Sequence, residues 1–520
     1  MTGSSAAAKP QNRYLVFGVL AFGQFIAQLD IQIVAASLNQ LQAGLSAGPD
    51  EISWVQTAYL MAELIMIPLS GFLAQAMSTR TLFALSAGLF TVASILCGFA
   101  WDIQSMAIFR AVQGFVGGAM IPSVFAVGFS LFPKERGMIA AILGIVSTLA
   151  PTLGPTVGGI ITDALDWHWL FFINIVPGVL VTLGTLRYVH VDTANPEMFK
   201  KIDFAQLGAL AIALGGMEYV LEEGPRHDWF GDPTIKLVAW FALVALVLFV
   251  ERSLFSKSPV VRINAFRSPT FAIACVFNLL IGFGVYASTF LTPIFLGRVR
   301  DYTSLDIGTT VFVVGIGQVL GTIVAARLID KIDPRYIIGT GLLGFCFTFW
   351  MTAHMSADWG FWDLMLPQFF RGVFALMCIV PSVTLALGGF QGPDLRYASG
   401  LYNLMRNLGG AIGIALVNTW LQDSARLHGA RFGEAMGHNG TAARDVVSSV
   451  ARAFSAVTAD PGRAAEMSRG AFAHLVGRQS LTLAFDDVFQ IMSWMFLAVV
   501  LMVPFCRPPV HKAAPNPDAH

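Results

Sequence analysis

Two long apolar runs between residues 106 and 177 constrain the fold more than any other feature of the sequence. Each is long enough to cross the ~30 Å hydrocarbon core of a bilayer as a helix, which takes about 20 residues. The second run carries Gly154-Pro155 and Gly158-Gly159 in its middle, although a proline inside a soluble helix costs about 3 kcal/mol. Membrane helices tolerate such residues where neighbouring helices pack onto the bared backbone. The pattern therefore predicts closely packed helices that cross a membrane.

Composition places the whole chain in the same class. Of its 520 residues, 55% are hydrophobic and 12% are charged, whereas about a quarter of the residues in a soluble domain are charged. The 32 basic and 32 acidic residues balance, so the sequence gives no reason to expect a nucleic-acid partner. The five cysteines lack metal-ligand spacing, and we expect neither a metal site nor disulfides. The sequence predicts an all-α, polytopic membrane protein surrounded by a lipid bilayer.

We count fourteen apolar runs that are candidates for membrane-spanning helices. The first run continues through Asp30 and lacks a small-residue cleavage site, so we interpret it as a helix rather than a signal peptide. Six runs precede residue 189, six follow residue 269, and two lie between. The runs cover residues 14–38, 53–74, 82–100, 105–132, 138–163, 169–188, 204–221, 235–250, 271–296, 305–328, 336–354, 362–390, 398–421 and 485–506.

Lysine and arginine residues are concentrated in alternate loops, beginning with the N-terminal tail. Cations are retained on the cytoplasmic side during insertion, so both termini are predicted to be cytoplasmic. The long loop 422–484 then lies outside. Apolar residues recur in it at helical spacing, which predicts amphipathic helices that form either a solvated cap or a docking site for a partner. These residues are Val446, Val447, Val450, Phe454 and Val457.

An internal repeat divides the chain into two halves. A Phe-Arg pair at 109–110 with Pro-Ser-Val at 122–124 recurs as Phe-Arg at 370–371 with Pro-Ser-Val at 381–383. Membrane transporters are commonly built from such duplicated halves. We therefore expect two pseudo-symmetric six-helix bundles plus two inserted helices. The predicted units are a cytoplasmic tail (1–13), the first bundle (14–188), a linker with the inserted helices (189–269), the second bundle with the long periplasmic loop (270–506) and a second cytoplasmic tail (507–520).

Five short stretches carry motifs that occur together in one transporter family. They are LDIQIV (29–34), GFLAQAMSTR (71–80), Arg110 with Gln113 and Gly114, APTLGPTVGG (150–159) and WHWLFFIN (167–174). These stretches resemble motifs of the major facilitator superfamily, and within it of the fourteen-helix drug:proton antiporters typified by the EmrB-type multidrug permeases. The resemblance spans residues 14–506 and implies the major facilitator fold.

The resemblance also implies a cytoplasmic latch, formed by the loop between the second and third helices of each half. In the first half the latch residues are Gly71 and Arg80, and in the second half they are Asp330 and Arg335. Gln75 stands where the family's loop usually has aspartate. We therefore expect the first latch to be weaker or to use a different partner.

Three charged residues lie in the middle of first-half apolar runs: Asp30, Glu63 and Arg110. Each costs about 2.5 to 3.5 kcal/mol at a helix centre, so each must pair or face water. A carboxylate in a cavity that opens and closes can bind and release a proton. We interpret Asp30 and Glu63 as proton-coupling candidates and Arg110 as the cation that modulates them. A static salt bridge that holds helices together is the alternative.

Other polar residues within apolar runs are candidates for a substrate cavity. They are Gln113, Asn278, Gln318, Arg371, Asn403 and Arg406. The two arginines can bind an anionic substrate or pair within their half, and buried amides often join membrane helices by hydrogen bonds. Glu218 lies deep in its run and its role stays open, whereas Glu222 and Glu223 are expected at the membrane interface.

Gly154 and Gly158 lie one helical turn apart and present a smooth surface to another helix, while Pro155 bends the helix. We expect this face, which includes Gly159, to contact a second-half helix and to seal one side of a cavity. The expected partners are Gly409, Gly410 and Gly413. The resemblance associates this motif with export, and plain close packing is the alternative.

The sequence contains no nucleotide-binding loop and no spacing of a catalytic triad, so we expect neither an enzyme nor a cofactor. The energy for transport then comes from an ion gradient, worth about 2.3 kcal/mol per charge per 100 mV. We predict a proton-driven exporter of hydrophobic or amphiphilic compounds in the bacterial inner membrane. The resemblance implies a periplasmic membrane-fusion adaptor and an outer-membrane channel as partners. The alternatives are an exporter of one metabolite, such as a siderophore or lipid, and a receptor or scaffold that transports nothing.

Overall fold

The computed structural model describes residues 12–48, 51–256, 259–329, 331–438, 449 and 461–505, whose regular structure is helical. The first helices are α1 (Arg13–Ala36), α2 (Leu38–Gly44), α3 (Trp54–Met77), α4 (Thr79–Gly98), α5 (Ile103–Gly117), α6 (Met120–Leu131), α7 (Arg136–Ala164), α8 (Trp169–Phe172) and α9 (Ile175–Tyr188). They are followed by α10 (Phe204–Glu223) and α11 (Pro233–Phe255). The last helices are α12 (Pro269–Arg298), α13 (Ser304–Leu328), α14 (Pro334–Thr352), α15 (Phe361–Leu387), α16 (Gly392–His438) and α17 (Pro461–Val500).

Polar side chains begin many of these helices. Asp102 accepts a hydrogen bond from the backbone N–H of Ser105 at 2.7 Å, and Asp232 accepts one from Thr234 at 2.6 Å. The first N–H groups of a helix have no partner within it, so such caps fix where each apolar run becomes helical. Asn12, Asp203, Ser268, Thr303 and Asp333 cap other helices in the same way.

Eleven spans in the described part of the chain are long and apolar enough to cross a membrane. They include Ile103–Leu131, which joins α5 and α6, and Trp169–Tyr188, which joins α8 and α9. Three further helices, α7, α14 and α16, contain 29, 19 and 47 residues. The chain is therefore an all-helical, multi-pass membrane protein, and this part of the prediction is confirmed.

Most of the helices fall into two sets, α1–α9 and α12–α17, and the same pattern of helix contacts occurs within each set. In the first set α1 packs on α7, α3 on α5, and α4 on α5 and α9. In the second set α12 packs on α16, α13 on α15, and α14 on α15 and α17. These pairs match in order, which is the pattern that an internal repeat produces. The two sets meet where α7 contacts α13 and α15, and where α16 contacts α3 and α6.

Gly154 and Gly158 of α7 pack within the first set. A side chain at Gly154 would overlap Gln32 of α1, and one at Gly158 would crowd Ser37 and the backbone of Ile33. The expectation that Gly154 and Gly158 contact a second-half helix is therefore wrong, although Thr156 between them lies against Gly308 of α13. The small residues serve instead to bring α1 and α7 close together.

The glycine cluster of α16 makes the equivalent contact in the second set. Gly409 and Gly413 lie against the backbone of Leu279 and Phe283 in α12. The two glycine motifs therefore do not meet each other, because each closes the corresponding helix pair of its own set. α7 reaches α15 at a different position, Gly144.

The inserted helices α10 and α11 lie beside both sets. α11 packs on α10 and exposes large apolar side chains such as Trp240 and Phe241, which is the composition of a lipid-facing surface. α10 contacts α3 of the first set and α16 of the second. It therefore borders the space between the two sets.

Candidate functional site

A buried network of charged and amide side chains surrounds Arg110. The guanidinium donates to Asp30 at 2.7 Å, and both side chains are fully buried. Arg110 also donates to Gln113 at 2.8 Å, and Gln113 donates to Asp30 at 3.2 Å. Asn174 donates to the same carboxylate at 2.6 Å. Asp30 therefore has a paired charge and hydrogen-bond donors from three residues.

The network connects five helices. Arg110 of α5 donates through Nε to the carbonyl of Val55 at 3.1 Å, and its guanidinium lies 4.3 Å from the centre of the Tyr59 ring. Asn174, at the start of α9, donates to Ser94 of α4 at 3.0 Å. A buried ion pair is tolerated when such further hydrogen bonds satisfy both partners. In this conformation the pair between Arg110 and Asp30 of α1 holds helices of the first set together.

A cavity of about 90 Å³ lies where the first set faces the second, and α10 forms one of its walls. A space of this size holds several water molecules where polar partners are present. Its polar lining includes Gln28, Gln56, Glu63, Glu218, Glu222 and Asn407. Its apolar lining includes Ile31, Leu60, Leu64 and Ile121. Among the described residues, neither Asp30 nor Arg110 lines it.

Three of the lining residues are glutamates. Glu63 of α3 and Glu218 of α10 are only 3% and 2% exposed. Glu222, one turn after Glu218, also lines the cavity. Glu223 points elsewhere and pairs with Arg226 at 3.7 Å. The buried carboxylates of the cavity thus come from one first-set helix and from the inserted helix.

Arg406 lies beside the cavity, whereas Asn278, another second-half candidate, does not line it. Arg406 is buried, donates to Asn403 at 3.2 Å, and lines an adjoining cavity together with Tyr286. Asn278 donates to the backbone carbonyl of Tyr402 at 2.6 Å and joins α12 to α16. Arg406 is therefore a cation next to the central cavity, whereas Asn278 connects helices.

The remaining candidates do not line the central cavity within the described part of the chain. Arg371 of α15 donates to Thr292 at 3.3 Å, and Gln318 is buried in α13. Pro155 and Gly159 lie within α7, on the helix that packs against α1. The proposed substrate residues therefore separate into cavity neighbours and residues that pack helices.

At the face where α1 begins, which we call the N-terminal face, Asp192 joins three elements. Its carboxylate accepts hydrogen bonds from the backbone N–H of Thr79 at 2.9 Å and from its hydroxyl at 2.7 Å. The same carboxylate pairs with Arg396 of α16 at 2.6 Å. The side chain of Gln75 donates to the carbonyl of Gly71 at 3.3 Å, and the backbone carbonyl of Gln75 accepts from the N–H of Asn195 at 3.0 Å. Asp192 therefore supplies the carboxylate that position 75 lacks.

Gly71 and Arg80 take part in the same contact region. A side chain at Gly71 would press on the backbone of Arg396, so the glycine permits α3 to approach α16. Arg80 donates to the carbonyl of Leu186 in α9. The first-half latch residues thus connect α3 and α4 to α9 and to the second set.

Other contacts close the N-terminal face between the two sets. Arg136 of α7 donates to the carbonyl of Gly388, just beyond α15. Ser399 of α16 donates to the carbonyl of Pro122 in α6 at 2.7 Å. Both contacts cross between the sets, so the space between them is sealed at this face.

The second-half latch is described only in part. Arg335 pairs with Asp333 at 2.6 Å, and the predicted latch residue Asp330 lies outside the described residues, as do the periodic residues of the long loop. Asp333 also caps α14 by accepting from the backbone N–H of Arg335 at 3.0 Å. The hydrogen bonds from Arg335 lower the pKa of the Asp333 carboxyl below its usual range.

A larger cavity of about 540 Å³ lies at the opposite face, between α10, α12 and α16. It shares Leu221, Glu222 and Ile414 with the central cavity. Arg426, whose side chain is 76% exposed, lies at its rim. The central cavity therefore extends toward the opposite face while the N-terminal face is closed.

Sequence reasoning does not identify Asn174 or Asp192 as site residues. Asn174 ends one of the family-like stretches, and an amide at the end of an apolar run is a signal that could have found it. Asp192 follows α9 in a polar segment that gives no signal, because its partner Arg396 is distant in the sequence.

Residues 20–414 match the Major Facilitator Superfamily. Because this match covers more than half of the chain, the chain belongs to that family of membrane transporters. It is therefore a transport protein rather than an enzyme, as the sequence predicts.

Relatives within the family have EmrB-type names, and they confirm that particular resemblance. The chain is 37% identical to the colistin resistance protein EmrB of Acinetobacter baumannii, over 81% of this chain and 83% of that protein. It is 30% identical to the fatty acid resistance protein FarB of Neisseria gonorrhoeae, over 95% of this chain and 96% of that protein. It is 28% identical to the multidrug export protein EmrB of Escherichia coli K12, over 96% of each.

Solved structures confirm the major facilitator fold. The human organic anion transporter MFSD10 superposes with a TM-score of 0.55 at 12% identity, covering 93% of this chain and 99% of that one. The nucleoside transporter NupG superposes with a TM-score of 0.53 at 13% identity, covering 94% of this chain and 100% of that one. At these identities the likeness shows the fold alone.

Proposed function

We propose that the chain is a secondary active exporter that moves hydrophobic or amphiphilic compounds out of the cytoplasm or inner membrane in exchange for protons. The observation that carries this proposal is a cavity between the two sets of helices that contains buried carboxylates and is closed at one face. The names of the relatives, which refer to resistance to colistin and fatty acids and to multidrug export, support it. The proton gradient is the energy source, and no cofactor takes part.

The proposed mechanism is alternating access. Two six-helix bundles, residues 14–188 and 270–506, rock around the central cavity. The contacts of Arg396 with Asp192 and of Ser399 with Pro122 close one face in this conformation. Breaking them while closing the opposite face would expose the cavity to the other side of the membrane.

Glu63 is the proton-coupling residue that the geometry supports best, since it lines the cavity whose access changes. Arg110 and Arg406 both act electrostatically on its carboxylate. A nearby cation favours the charged carboxylate and a dry surrounding favours the neutral one, so opening and closing the cavity can load and release a proton. The pair of Asp30 and Arg110 would then adjust the field around Glu63 rather than carry the proton itself.

The proposed topology has fourteen membrane helices. The eleven apolar spans leave α7, α14 and α16, and together these account for fourteen. Both termini are cytoplasmic in this topology, so the N-terminal face is the cytoplasmic one. The EmrB-type resemblance supports a place in the bacterial inner membrane, with a periplasmic membrane-fusion adaptor and an outer-membrane channel as partners.

Reconstituted transport tests the proposal. Proteoliposomes containing the full chain are given a pH gradient, and uptake of a fluorescent lipophilic probe is compared between wild type and Glu63→Gln. We expect the substitution to lower gradient-driven uptake at least tenfold, because the side chain can no longer exchange a proton. Glu251→Gln, a change at an exposed carboxylate of α11, is the matched control and should transport like wild type.

Two outcomes would contradict the proposal. If wild type moves a panel of lipophilic cations, weak acids and neutral compounds no faster than empty vesicles, drug export is wrong. If Glu63→Gln responds to the gradient as wild type does, Glu63 is not the coupling residue. Parallel measurement of Asp30→Asn shows whether the buried pair carries the proton instead.

A further inference from the structure

The cavity wall formed by α10 carries a carboxylate that the proposed mechanism does not use. Glu218 and Glu222 both line the cavity. Gly215, one turn before Glu218, lies against α3, so α10 sits close enough to direct Glu218 toward the space that Glu63 also faces. The inserted helix thus contributes to the same site as the first set.

Glu218 has no counterion within the described residues. The side chain is 2% exposed, and its Oε2 atom has no hydrogen-bond partner there. The charged groups that act on it are Glu222 and Glu63, both acidic. A buried carboxylate is costly unless it is paired or neutralised. Asp30 differs in this respect, because its carboxylate is paired with Arg110.

Two cations lie near the cavity, Arg226 and Arg406, and within the described residues neither forms an ion pair with Glu218. Arg226 acts on Glu222 and forms an ion pair with Glu223 at 3.7 Å. Arg406 acts on Glu63 and donates to Asn403 at 3.2 Å. Among the described residues, Glu218 is therefore a cavity carboxylate on which no cation acts.

Gln28 gives a second and independent indication of a bound ligand. Its side chain is 6% exposed, lines the same cavity, and has an Oε1 atom with no hydrogen-bond partner among the described residues. Buried polar atoms are normally satisfied, so an orphan acceptor at a cavity wall marks a place for a donor or a positive charge. Glu218 and Gln28 come from helices on different sides of the cavity, α10 and α1.

The rest of the lining suits an apolar molecule with a positive group. Ile31, Leu60 and Leu64 give aliphatic walls, and Tyr286 adds an aromatic ring. Apolar pockets with a few polar groups bind drug-sized molecules and use those groups for orientation. The central cavity alone encloses about 90 Å³, so the positive group would lie there and the rest of the molecule in the adjoining cavity of about 540 Å³. Aromatic faces attract cations as well. An anionic group at this place would face three glutamates.

We propose that Glu218 is the counterion for the positive group of a lipophilic organic cation, with Glu63 and Gln28 as neighbouring acceptors. This proposal rests on the proposed export function and assigns its substrate class. The inserted helix α10 then selects substrates, and cationic amphiphiles bind in preference to anionic ones of the same shape.

A binding assay on the purified full chain tests this assignment. The probes are tetraphenylphosphonium and tetraphenylborate, which have similar shape and opposite charge, each corrected for its partition into empty micelles. We expect wild type to bind the cation at least tenfold more tightly than the anion. Glu218→Gln should weaken cation binding at least tenfold, whereas Glu218→Asp and the control Glu251→Gln should remain within about threefold of wild type.

Two results would overturn the assignment: wild type without preference for the cation, or a folded Glu218→Gln protein that binds the cation as wild type does. The wild-type comparison decides the matter even if Glu218→Gln does not fold. The transport assay separates this proposal from the export proposal. If the protein binds the cation through Glu218 but shows no gradient-driven uptake, the Glu218 site stands and export is refuted. If it takes up anionic or neutral probes without preferring the cation, export stands and the Glu218 assignment is refuted.

Discussion

At the scale of single residues, two buried carboxylates of the first set have different surroundings. Asp30 accepts hydrogen bonds from Arg110, Gln113 and Asn174, while Glu63 faces a cavity. Both are almost completely removed from solvent. They therefore differ in their partners: Asp30 connects helices, whereas Glu63 is the residue for which we propose proton exchange.

Removing Arg110 should be costly. Arg110→Ala leaves Asp30 buried without a counterion, and breaking such a pair typically costs about 3 to 5 kcal/mol. The double variant Arg110→Ala with Asp30→Asn should recover part of the loss, because no uncompensated charge remains. Thermal unfolding of the purified variants measures both effects, and strictly additive costs would show that the two side chains are not coupled.

The sequence places Asp30, Glu63 and Arg110 in the middle of apolar runs, and this location is correct. It cannot rank them, since the partner of Asp30 at the start of α9 and the cavity beside Glu63 depend on how distant helices pack. Glu218 illustrates the same limit. Its depth in α10 is readable from the sequence, but the absence of a counterion among the described residues is a property of the assembled cavity.

At the scale of elements, the segment after α9 has taken over part of the latch. Asp192 connects the start of α4 to α16 of the second set. The resemblance identifies Gln75 as a departure, and the loop alone does not show which residue compensates for it. The compensation comes from another loop at the same face.

Asp192→Asn should loosen the closed N-terminal face, because the ion pair with Arg396 is lost. A cysteine introduced at Ser123, which lines a small cavity next to Arg396, reports the opening in a background without native cysteines. We expect maleimide labelling to become several-fold faster in Asp192→Asn. Asp394→Asn, at an exposed position near the start of α16, is the control, and equal labelling rates in all three proteins would refute the role of Asp192.

The cap of α14 predicts a dependence on pH. Hydrogen bonds from Arg335 lower the pKa of Asp333 in the folded chain, so its stabilising contribution is present above the unfolded pKa of about 3.9. The contribution is lost as the pH falls through the folded value. Asp333→Ala, which removes both the cap and the charge, should cost about 1 kcal/mol near neutral pH. The difference in unfolding temperature from wild type should shrink below pH ~4, and a constant difference would contradict this assignment.

At the scale of the whole molecule, the helical spans and the repeat were predictable because both depend on local hydrophobicity and on sequence echoes. The pairing of helices was not. Gly154 and Gly158 signal a close helix contact, but nothing in the sequence says that the neighbour is α1 rather than a helix of the second half. A small residue specifies how near another helix comes and leaves open which helix it is.

The position of α10 against both α3 and α16 has a consequence for how compounds arrive. On this side the inserted pair stands between the hydrocarbon tails of the bilayer and the central cavity. We expect that deletion of residues 204–255 would expose this wall of the cavity to lipid. A compound dissolved in the bilayer would consequently enter through an opening between other helices. A compound dissolved in water would enter through one of the two aqueous faces.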